Sequence, residues 1–314
     1  MPGGDIGNGI FFMLTGYFMY KKEYKIRRLV KLILQVYFYS FFSFLSYLTI
    51  RFLHIYDFQE ITSISKMLLF VKTLIPITSG AWWFIQTYVV LFFFIPVLNK
   101  FLEKSNPKYF FLILLSMWIF WYAPKILGFG YSNLQTAVFF YILGAWLKQS
   151  NFSMNKYLSL FLFCVIWFIL SFLDMKNSQI LKNENVTEML QKLIIVFLSK
   201  AVFTPLAVIF LFSFCKNLNI GNNIIMNKIA STCFGIYLIH DSDVGRLFIW
   251  NKIFHCLDIQ YKYQFFPIIA IFTIVCVFFT CSLIDYLRQI FVEKKLIEFV
   301  NLKIDNIIVK VRKP

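Results

Sequence analysis

The sequence predicts an all-α, polytopic integral membrane protein, a helical bundle of about nine transmembrane helices. Of its 314 residues, 60% are hydrophobic and 21% are aromatic, and the mean hydropathy is +0.71. The single core of a soluble domain cannot bury that much apolar surface. Apolar segments also recur along the whole chain at close to the length of membrane spans. One membrane domain over residues 1–287 accounts for most of the chain, and residues 288–314 form a tail.

The apolar segments are separated by short polar stretches, and a complete span needs about 20 residues. They cover residues 6–20, 29–53, 81–98, 108–127, 133–147, 157–173, 192–214, 229–254 and 264–287. The first segment is short for a complete span. The eighth is interrupted near His240 to Arg246, which predicts a helix followed by a half-buried turn. Residues 51–80 are expected to form a loop.

The loop charges predict the orientation of the chain, whose net charge is +16. The loops of one side, with Lys31, carry 20 Lys and Arg against 6 Asp and Glu, and those of the other side carry 10 against 9. The basic side comprises residues 21–28, 99–108, 148–156, 215–228 and the tail from 285. By the positive-inside rule this side is cytoplasmic, so Met1 lies outside and Pro314 inside. Since topology explains the basic excess, we expect no nucleic-acid partner.

The tail over residues 288–314 alternates apolar and basic residues. This pattern favours a basic amphipathic segment on the anionic inner leaflet, with a partner-binding helix as the alternative. The six cysteines and three histidines show no spacing typical of metal ligands, so neither a metal nor a disulfide is assigned. No phosphate-binding loop or nucleophile elbow occurs in the sequence.

His240 is the strongest candidate for chemistry, because it ends an apolar helix where that helix meets the outer surface. Polar groups at membrane depth are costly and therefore informative. An imidazole at this position is able to take a proton from a hydroxyl group. The alternative is an interfacial histidine whose hydrogen bonds are satisfied by water or a neighbour.

A second cluster begins the third apolar segment in "SGAWWFIQTYVV", where Trp82, Trp83, Gln86 and Tyr88 lie close together. Aromatic residues at this depth are usually an interfacial belt. Gln86 is more specific, since it is predicted about one turn inside the bilayer. The substrate-contacting role of this cluster is therefore a hypothesis that competes with the belt.

A third candidate is the basic stretch with Lys25, Arg27 and Arg28, which follows Lys21 and Lys22. Topology and attraction to anionic lipids explain such a stretch. A binding site for the phosphates of a cytoplasmic donor such as a coenzyme is the functional alternative.

Several stretches together resemble the acyltransferase 3 family of integral membrane proteins. The similar stretches are "GIFFMLTGYFM", with Thr15, Gly16 and Tyr17, then "KIRRLVKLI", "WWFIQTYVVLFFFIPVLN", "FFYILGAWLK" and "NKIASTCFGIYLIHD", which includes Tyr237. The third is similar to the branch of intercellular-adhesin and capsule modification proteins. Each motif alone is weak, but their order and spacing along nearly the whole chain are fairly specific.

The resemblance implies transfer of an acyl group, usually acetyl, from cytoplasmic acyl-CoA to a sugar hydroxyl. The acceptor is an extracytoplasmic polysaccharide or lipid-linked glycan, no cofactor stays bound, and proteins of polysaccharide biosynthesis are expected partners. Placed in this reaction, His240 is the catalytic candidate of this chain, which lacks the main family His, and Lys25, Arg27 and Arg28 are the candidate ligands of the acyl-CoA phosphates. The implied substrate channel includes Thr15, Gly16, Tyr17, Trp83, Gln86, Tyr88 and Tyr237. The chemistry needs a base for the hydroxyl and donors for the carbonyl oxygen.

Two departures from the family qualify this expectation. Family members have ten helices with both termini cytoplasmic, and their first helix carries an Arg and a His, the usual catalytic candidate. This sequence begins just before what resembles the second helix, so we expect a further helix ahead of Met1, without which activity is not expected. Other branches have an acidic residue in the third segment, where this chain has Gln86 and Tyr88.

Three functions therefore compete at this point. The first is a bacterial plasma-membrane O-acyltransferase with a cytoplasmic C-terminus. The second is a transporter or exporter of a cell-surface polysaccharide or its precursor. The third is a non-catalytic subunit or an inactive truncated relative. Consumption of acyl-CoA distinguishes the first from the others.

Overall fold

The computed structural model describes residues 2–56, 58, 63–124, 126, 133–180, 186–218, 220–256 and 266–293. These residues are 85% helical and include no strand, which confirms the all-α class. The predicted tail over 288–314 lies outside the described residues from position 294 onward. Five helices are long and apolar enough to cross a membrane, at Ile26–Phe52, Trp83–Glu103, Lys156–Gln179, Thr187–Lys216 and Ile268–Glu293. The chain is thus a multi-pass membrane protein, and the predicted count of nine spans is not confirmed.

The helices follow the predicted apolar segments closely. In chain order they are α1 (Pro2–Met19), α2 (Ile26–Phe52), α3 (Ser63–Leu74), α4 (Trp83–Glu103), α5 (Pro107–Met117), α6 (Asn133–Gln149), α7 (Lys156–Ile180), α8 (Val186–Val196), α9 (Thr204–Lys216), α10 (Ile224–His240), α11 (Asp243–Gly245) and α12 (Phe266–Arg288). Helix α3 lies in the stretch that we expected to be a loop. Its apolar residues follow a helical period over only 12 residues, which is too short to predict a span.

In the described part of the chain, π-helical segments extend or join these helices at Trp118–Tyr122, Phe197–Phe203, Arg246–Ile253 and Gln289–Glu293. The second makes Thr187–Lys216 continuous. The predicted interruption of the eighth segment is confirmed, since α10 ends at His240 and Asp241 is its C-cap residue. π-Helical turns are uncommon and widen a helix locally, which exposes backbone carbonyl groups to side-chain donors.

Local sequence explains where several helices begin. The Asn106 side chain caps α5 by accepting a hydrogen bond from the backbone N–H of Lys108. Pro107 follows at the first helical position, where its ring fixes φ near the helical value. Asn223 caps α10 in the same way, accepting from Ile225 and Met226. These caps fix the helix starts before any tertiary contact is made.

The chain divides into two compact units. Unit 1 comprises Met1–Tyr24 and Thr87–Ile220, and unit 2 comprises Lys25–Gln86 and Gly221–Pro314. In unit 1, α1 packs against α6 and α9, and α7 packs against α9. In unit 2, α10 packs against both α12 and α2, and α3 packs against α2.

Candidate functional site

His240 is the last residue of α10, and its imidazole is half-buried in unit 2. Its Nδ1 atom lies 2.7 Å from the carbonyl oxygen of Ile236. A carbonyl oxygen only accepts hydrogen bonds, so in the neutral imidazole Nδ1 carries the proton. The other nitrogen, Nε2, then keeps its lone pair and is the basic atom of the ring. The helix backbone therefore fixes the tautomer that a general base needs.

Two aromatic rings hold the imidazole of His240 in place. Tyr237 and Trp250 contact it edge-on, with ring centroids 6.3 Å and 5.9 Å away. The indole Nε1 of Trp250 also donates a 3.3 Å hydrogen bond to the backbone carbonyl of His240. Trp250 lies in the π-helical segment after the turn, and sequence reasoning missed it because only the folded turn brings it back.

The turn after His240 is held by two ion pairs. Arg246 Nε lies 3.0 Å from Asp241 Oδ1, and Lys72 Nζ lies 2.9 Å from Asp243 Oδ2. Gly245 packs so closely on the end of α10 that a Cβ atom there would overlap a backbone carbonyl oxygen. Each interaction crosses the turn or ties it to α3, so the position of His240 relative to the turn is set by several constraints at once.

Two buried polar groups lie in the same unit. The Trp82 side chain is 2% exposed, and its indole Nε1 has no hydrogen-bond partner. The Tyr237 hydroxyl is shielded from solvent and lies near Asp241, without a hydrogen bond of standard geometry to it. A buried donor without a partner costs about 1–3 kcal/mol. Such donors are the type of group that is able to bind a carbonyl oxygen of a ligand.

The structure therefore favours Trp82 over Trp83 as the functional tryptophan, whereas the sequence analysis had favoured Trp83. Trp83, the residue singled out earlier, is 37% exposed and contacts Phe84 edge-on. Phe84 contacts Tyr237 in turn, with centroids 5.7 Å apart. Trp82 is the buried member, and no pattern in "AWWF" distinguishes the two. Gln86 is exposed, and its predicted substrate role stays a prediction.

Two hollows in unit 2 adjoin this region. A small one of about 20 Å³ is lined by Ser40, Ser43, Lys72, Trp82, Ser242 and Asp243 among others. A larger one of about 360 Å³ is bounded by α2, α10, α12 and the residues after the turn, and its lining is mainly apolar. Ser43 and Ser242 belong to the linings of both, so the polar hollow and the apolar cavity are neighbours.

A buried carboxylate, Asp285 on α12, organises the other half of unit 2. It is 0% exposed. Its Oδ1 atom accepts hydrogen bonds from Tyr39 (2.6 Å), Gln35 (3.2 Å) and Arg288 (2.8 Å), and its Oδ2 atom accepts from Gln289 (2.7 Å). A buried charge needs such full pairing because its desolvation is expensive. Sequence reasoning missed this network, since it counted Asp285 as the start of the polar tail.

The same network continues through Arg288, which is 7% exposed. Its Nη2 atom lies 2.7 Å from Glu293 in the last π-helical segment, and Glu293 also pairs with Lys31 at the start of α2. Opposite charges thus alternate along the network. It ties α2 to the end of α12, and its groups are occupied with one another.

The predicted phosphate ligands Lys25, Arg27 and Arg28 are exposed at the N-terminal end of α2. The positive end of a helix and several basic side chains both favour anions. Ser43, which lines the hollows near the turn, lies farther along the same helix. From Arg28 to Ser43 the helix rises about 22 Å, at roughly 1.5 Å per residue. The basic cluster and the region of the His240 turn therefore lie at different depths of unit 2.

The remaining predicted residues lie in unit 1. The Thr15 hydroxyl donates to the Phe11 carbonyl (2.9 Å). A Cβ atom on Gly16 would overlap the carbonyl oxygen of Tyr141, so this glycine permits the close approach of α1 and α6. Tyr17 packs on Phe212, and Tyr88 contacts Phe11 edge-on. Packing accounts for Gly16, and the channel role of these residues stays a prediction.

In the described part of the chain, no cluster of three or more His, Cys, Asp or Glu side chains is arranged to hold a metal ion. Comparison with known proteins gives one family. A family model described as an acyltransferase domain matches residues 3–285. Neither a curated protein nor a solved structure matches the chain significantly.

Proposed function

Since the chain belongs to the acyltransferase 3 family, we propose that it is a membrane O-acyltransferase of a bacterial plasma membrane. The acyl group, with acetyl as the expected group, comes from cytoplasmic acyl-CoA. The acceptor is a hydroxyl of an extracytoplasmic polysaccharide or lipid-linked glycan. In this orientation the C-terminus is cytoplasmic and the His240 turn lies on the outer side, as the loop charges favour.

The observation that carries this proposal is the 2.7 Å contact between His240 Nδ1 and the Ile236 carbonyl oxygen. With Nδ1 bonded to the Ile236 carbonyl, Nε2 is the atom that accepts the proton of the acceptor hydroxyl. The deprotonated oxygen attacks the thioester carbonyl, whose oxygen becomes negatively charged. When the carbonyl re-forms, the C–S bond breaks and the CoA thiolate leaves, taking the proton from Nε2, so that the products are the ester and free CoA thiol. General-base catalysis of this type accelerates a reaction by about 10² to 10⁴-fold.

Trp82 and Tyr237 are the proposed donors to the carbonyl oxygen. Support comes from their burial and from the missing hydrogen-bond partner of Trp82 Nε1, while the Tyr237 hydroxyl lies near the Asp241 carboxylate. A preorganised donor stabilises the developing negative charge most strongly where water is excluded. In this role Trp82 replaces Trp83, which is the more exposed of the pair.

Lys25, Arg27 and Arg28 are the proposed ligands of the acyl-CoA phosphates. Their separation of about 22 Å from Ser43 along α2 fits a donor held at one membrane surface while the acceptor is held nearer the other. The thioester end of the donor then has to extend along the protein to the His240 turn, where the hydroxyl attacks it. The substrate-channel roles of Thr15, Gly16, Tyr17, Trp83, Gln86 and Tyr88 belong to this part of the proposal.

The first test is acceptor-dependent release of free thiol from acetyl-CoA by the purified full-length protein, in a preparation with measurable activity on a bacterial cell-surface glycan. We expect His240→Ala to lower kcat by about 10²-fold or more, because the base is removed. His255→Ala is the matched control, since His255 is exposed and lies beyond the π-helical segment. Equal activity of both variants and the unmodified protein would remove His240 from the mechanism.

The second test addresses the donor. Replacing Arg27 and Arg28 together by alanine is expected to raise KM for acetyl-CoA about tenfold or more with little change in kcat, because phosphate contacts bind ground state and transition state alike. Lys252→Ala, an exposed cation of unit 2 in the segment after the turn, is expected to leave KM unchanged. A lower kcat with unchanged KM would contradict the phosphate-binding role. The same variants also separate acyl transfer from transport. If they change the export of the glycan and leave its acylation unchanged, the protein is a transporter and not an acyltransferase.

A further inference from the structure

The large cavity of unit 2 has no role in the proton transfer described above. It has a volume of about 360 Å³, within the range of pockets that bind small molecules. Its walls are aliphatic and aromatic side chains with a few hydroxyl groups, among them Ser46. The Ser46 hydroxyl donates to the Phe42 carbonyl (2.8 Å), so it offers the cavity little polarity. An apolar ligand in such a cavity gains dispersion contacts with the side chains that line it.

The cavity has the length of one leaflet of a bilayer. Along α2 its lining runs from Tyr39 to Ile50, a rise of about 16 Å at roughly 1.5 Å per residue. Half of a hydrocarbon core of about 30 Å is about 15 Å. An extended hydrocarbon chain that enters from one membrane surface therefore matches the cavity from end to end.

The rim of the cavity reaches the surface of membrane-spanning helices. Phe42 on α2 is 36% exposed, and Thr280 on α12 is also exposed. Both helices are among those long and apolar enough to cross a membrane. The solvent that meets their exposed middle portions is the hydrocarbon of the bilayer. A lipid chain thus has lateral access to the cavity without crossing the headgroup layer.

One end of the cavity is polar. Ser43 and Ser242 are shared with the small hollow that Trp82 lines, and the buried Trp82 Nε1 has no partner. Lys72 and Asp243, which form an ion pair, also line that small hollow. The ester group of a lipid would lie beside the serine hydroxyl groups there, while its chain lies among apolar side chains.

We propose that this cavity binds one hydrocarbon chain of a glycerophospholipid from the surrounding bilayer, with the ester end beside Ser43 and Ser242. The choice of a bulk membrane lipid follows from the lateral opening, because bilayer lipids contact that opening at high concentration. This proposal does not rest on acyl transfer. The bound lipid chain fills the cavity of unit 2 and packs against the residues that follow the His240 turn. This role is the same whichever reaction the protein performs.

The test uses the full chain in nanodiscs of phosphatidylcholine that carry a photoactivatable group in the middle of one acyl chain. After irradiation, the labelled side chains are mapped by peptide mass spectrometry. We expect label on cavity residues of α12 such as Cys276 and Ile284. Label confined to outward-facing residues of the same helix, such as Phe279, which is 62% exposed, would overturn the proposal.

Ser46→Phe and Thr49→Phe form a matched pair of variants. Both hydroxyls lie on α2 and donate to the carbonyl four residues earlier. Ser46 lines the cavity, whereas Thr49 is exposed and lies outside its lining. Phenylalanine at position 46 fills the cavity, so we expect labelling of Cys276 to fall about tenfold, which corresponds to about 1.4 kcal/mol. The Thr49→Phe variant is expected to label like the unmodified protein.

Two further outcomes bear on the proposal. An equal loss of cavity label in both variants would contradict a specific site. Displacement of the label by polyprenyl phosphate well below the concentration of unlabelled phosphatidylcholine would overturn the assignment to bulk lipid. If Ser46→Phe fails to fold, native mass spectrometry of the unmodified protein decides instead. We expect one retained phospholipid per chain, and a lipid-free protein would contradict the site.

Discussion

The two units satisfy their buried polar groups in different ways. In unit 1 the Tyr141 hydroxyl donates to Asn99 Oδ1 (2.6 Å), and Asn99 Nδ2 donates to the Met19 carbonyl (3.0 Å). These groups are neutral. In unit 2 the corresponding interior contains the charged pair of Asp285 and Arg288. Neutral hydrogen bonds contribute about 1 kcal/mol each, whereas breaking a buried ion pair costs about 3–5 kcal/mol.

The backbone of unit 1 is likewise satisfied by neutral donors. In unit 1, Pro205 has no N–H group to donate to the Ala201 carbonyl, and the Trp118 indole donates to that carbonyl instead (2.8 Å). The neighbouring Lys200 carbonyl accepts from the Tyr122 hydroxyl (3.0 Å). Two π-helical segments thus face each other through neutral aromatic donors. The comparison teaches that unit 1 depends on fit between helices, while unit 2 depends on charge balance around one carboxylate.

The largest effect is expected for Asp285→Asn, which removes the charge that balances Arg288. We expect a loss of about 3 kcal/mol or more in the free energy of unfolding, measured as a lower thermal midpoint in detergent. Asp243→Asn is the control in the same unit, because the Asp243 carboxylate and its partner Lys72 are 32% and 28% exposed. There we expect a change of about 1 kcal/mol or less. Equal losses would show that burial of charge does not distinguish unit 2.

Gly16→Ala tests whether the stability of unit 1 depends on the close packing of α1 and α6. The new methyl group would overlap the Tyr141 carbonyl, so α1 and α6 must separate, at a cost of about 1–3 kcal/mol. Gly4→Ala on the same helix is the control, since nothing lies within 4 Å of a Cβ atom there. Alanine has the higher helix propensity, so Gly4→Ala is expected to be neutral or stabilising. A neutral Gly16→Ala variant in the thermal measurement would contradict the dependence on close fit.

The smallest effect is expected for Trp118→Phe. It keeps most of the ring but removes the donor to the Ala201 carbonyl, which leaves an unsatisfied backbone group at a cost of about 1–2 kcal/mol. Trp146→Phe is a suitable control, because the Trp146 ring packs against Phe111 and Phe152, and phenylalanine keeps these ring contacts. A Trp118 variant no less stable than the control would mean that the π-helical segment does not need this donor.

The sequence by itself determined the class of protein and the course of most helices. Hydropathy and length require a helical membrane protein, since a lipid-exposed backbone must satisfy its own hydrogen bonds. The motifs, read in order, predicted the family that the match over residues 3–285 confirms. His240 was found because an ionisable group at the end of an apolar helix is conspicuous. The end of the helix after His240 was predicted because polar residues interrupt the apolar segment between His240 and Arg246.

Only the tertiary structure decided which polar residues meet. Asp285 looked like the first residue of a polar tail, yet α2 supplies Gln35 and Tyr39 to it from far along the chain. Trp82 and Trp83 are identical in sequence terms, and their difference arises from which side of the helix start is packed. The apolar cavity likewise has no sequence signature. Hydropathy is a property of single segments, whereas pairing, burial and empty space depend on how separate segments pack together.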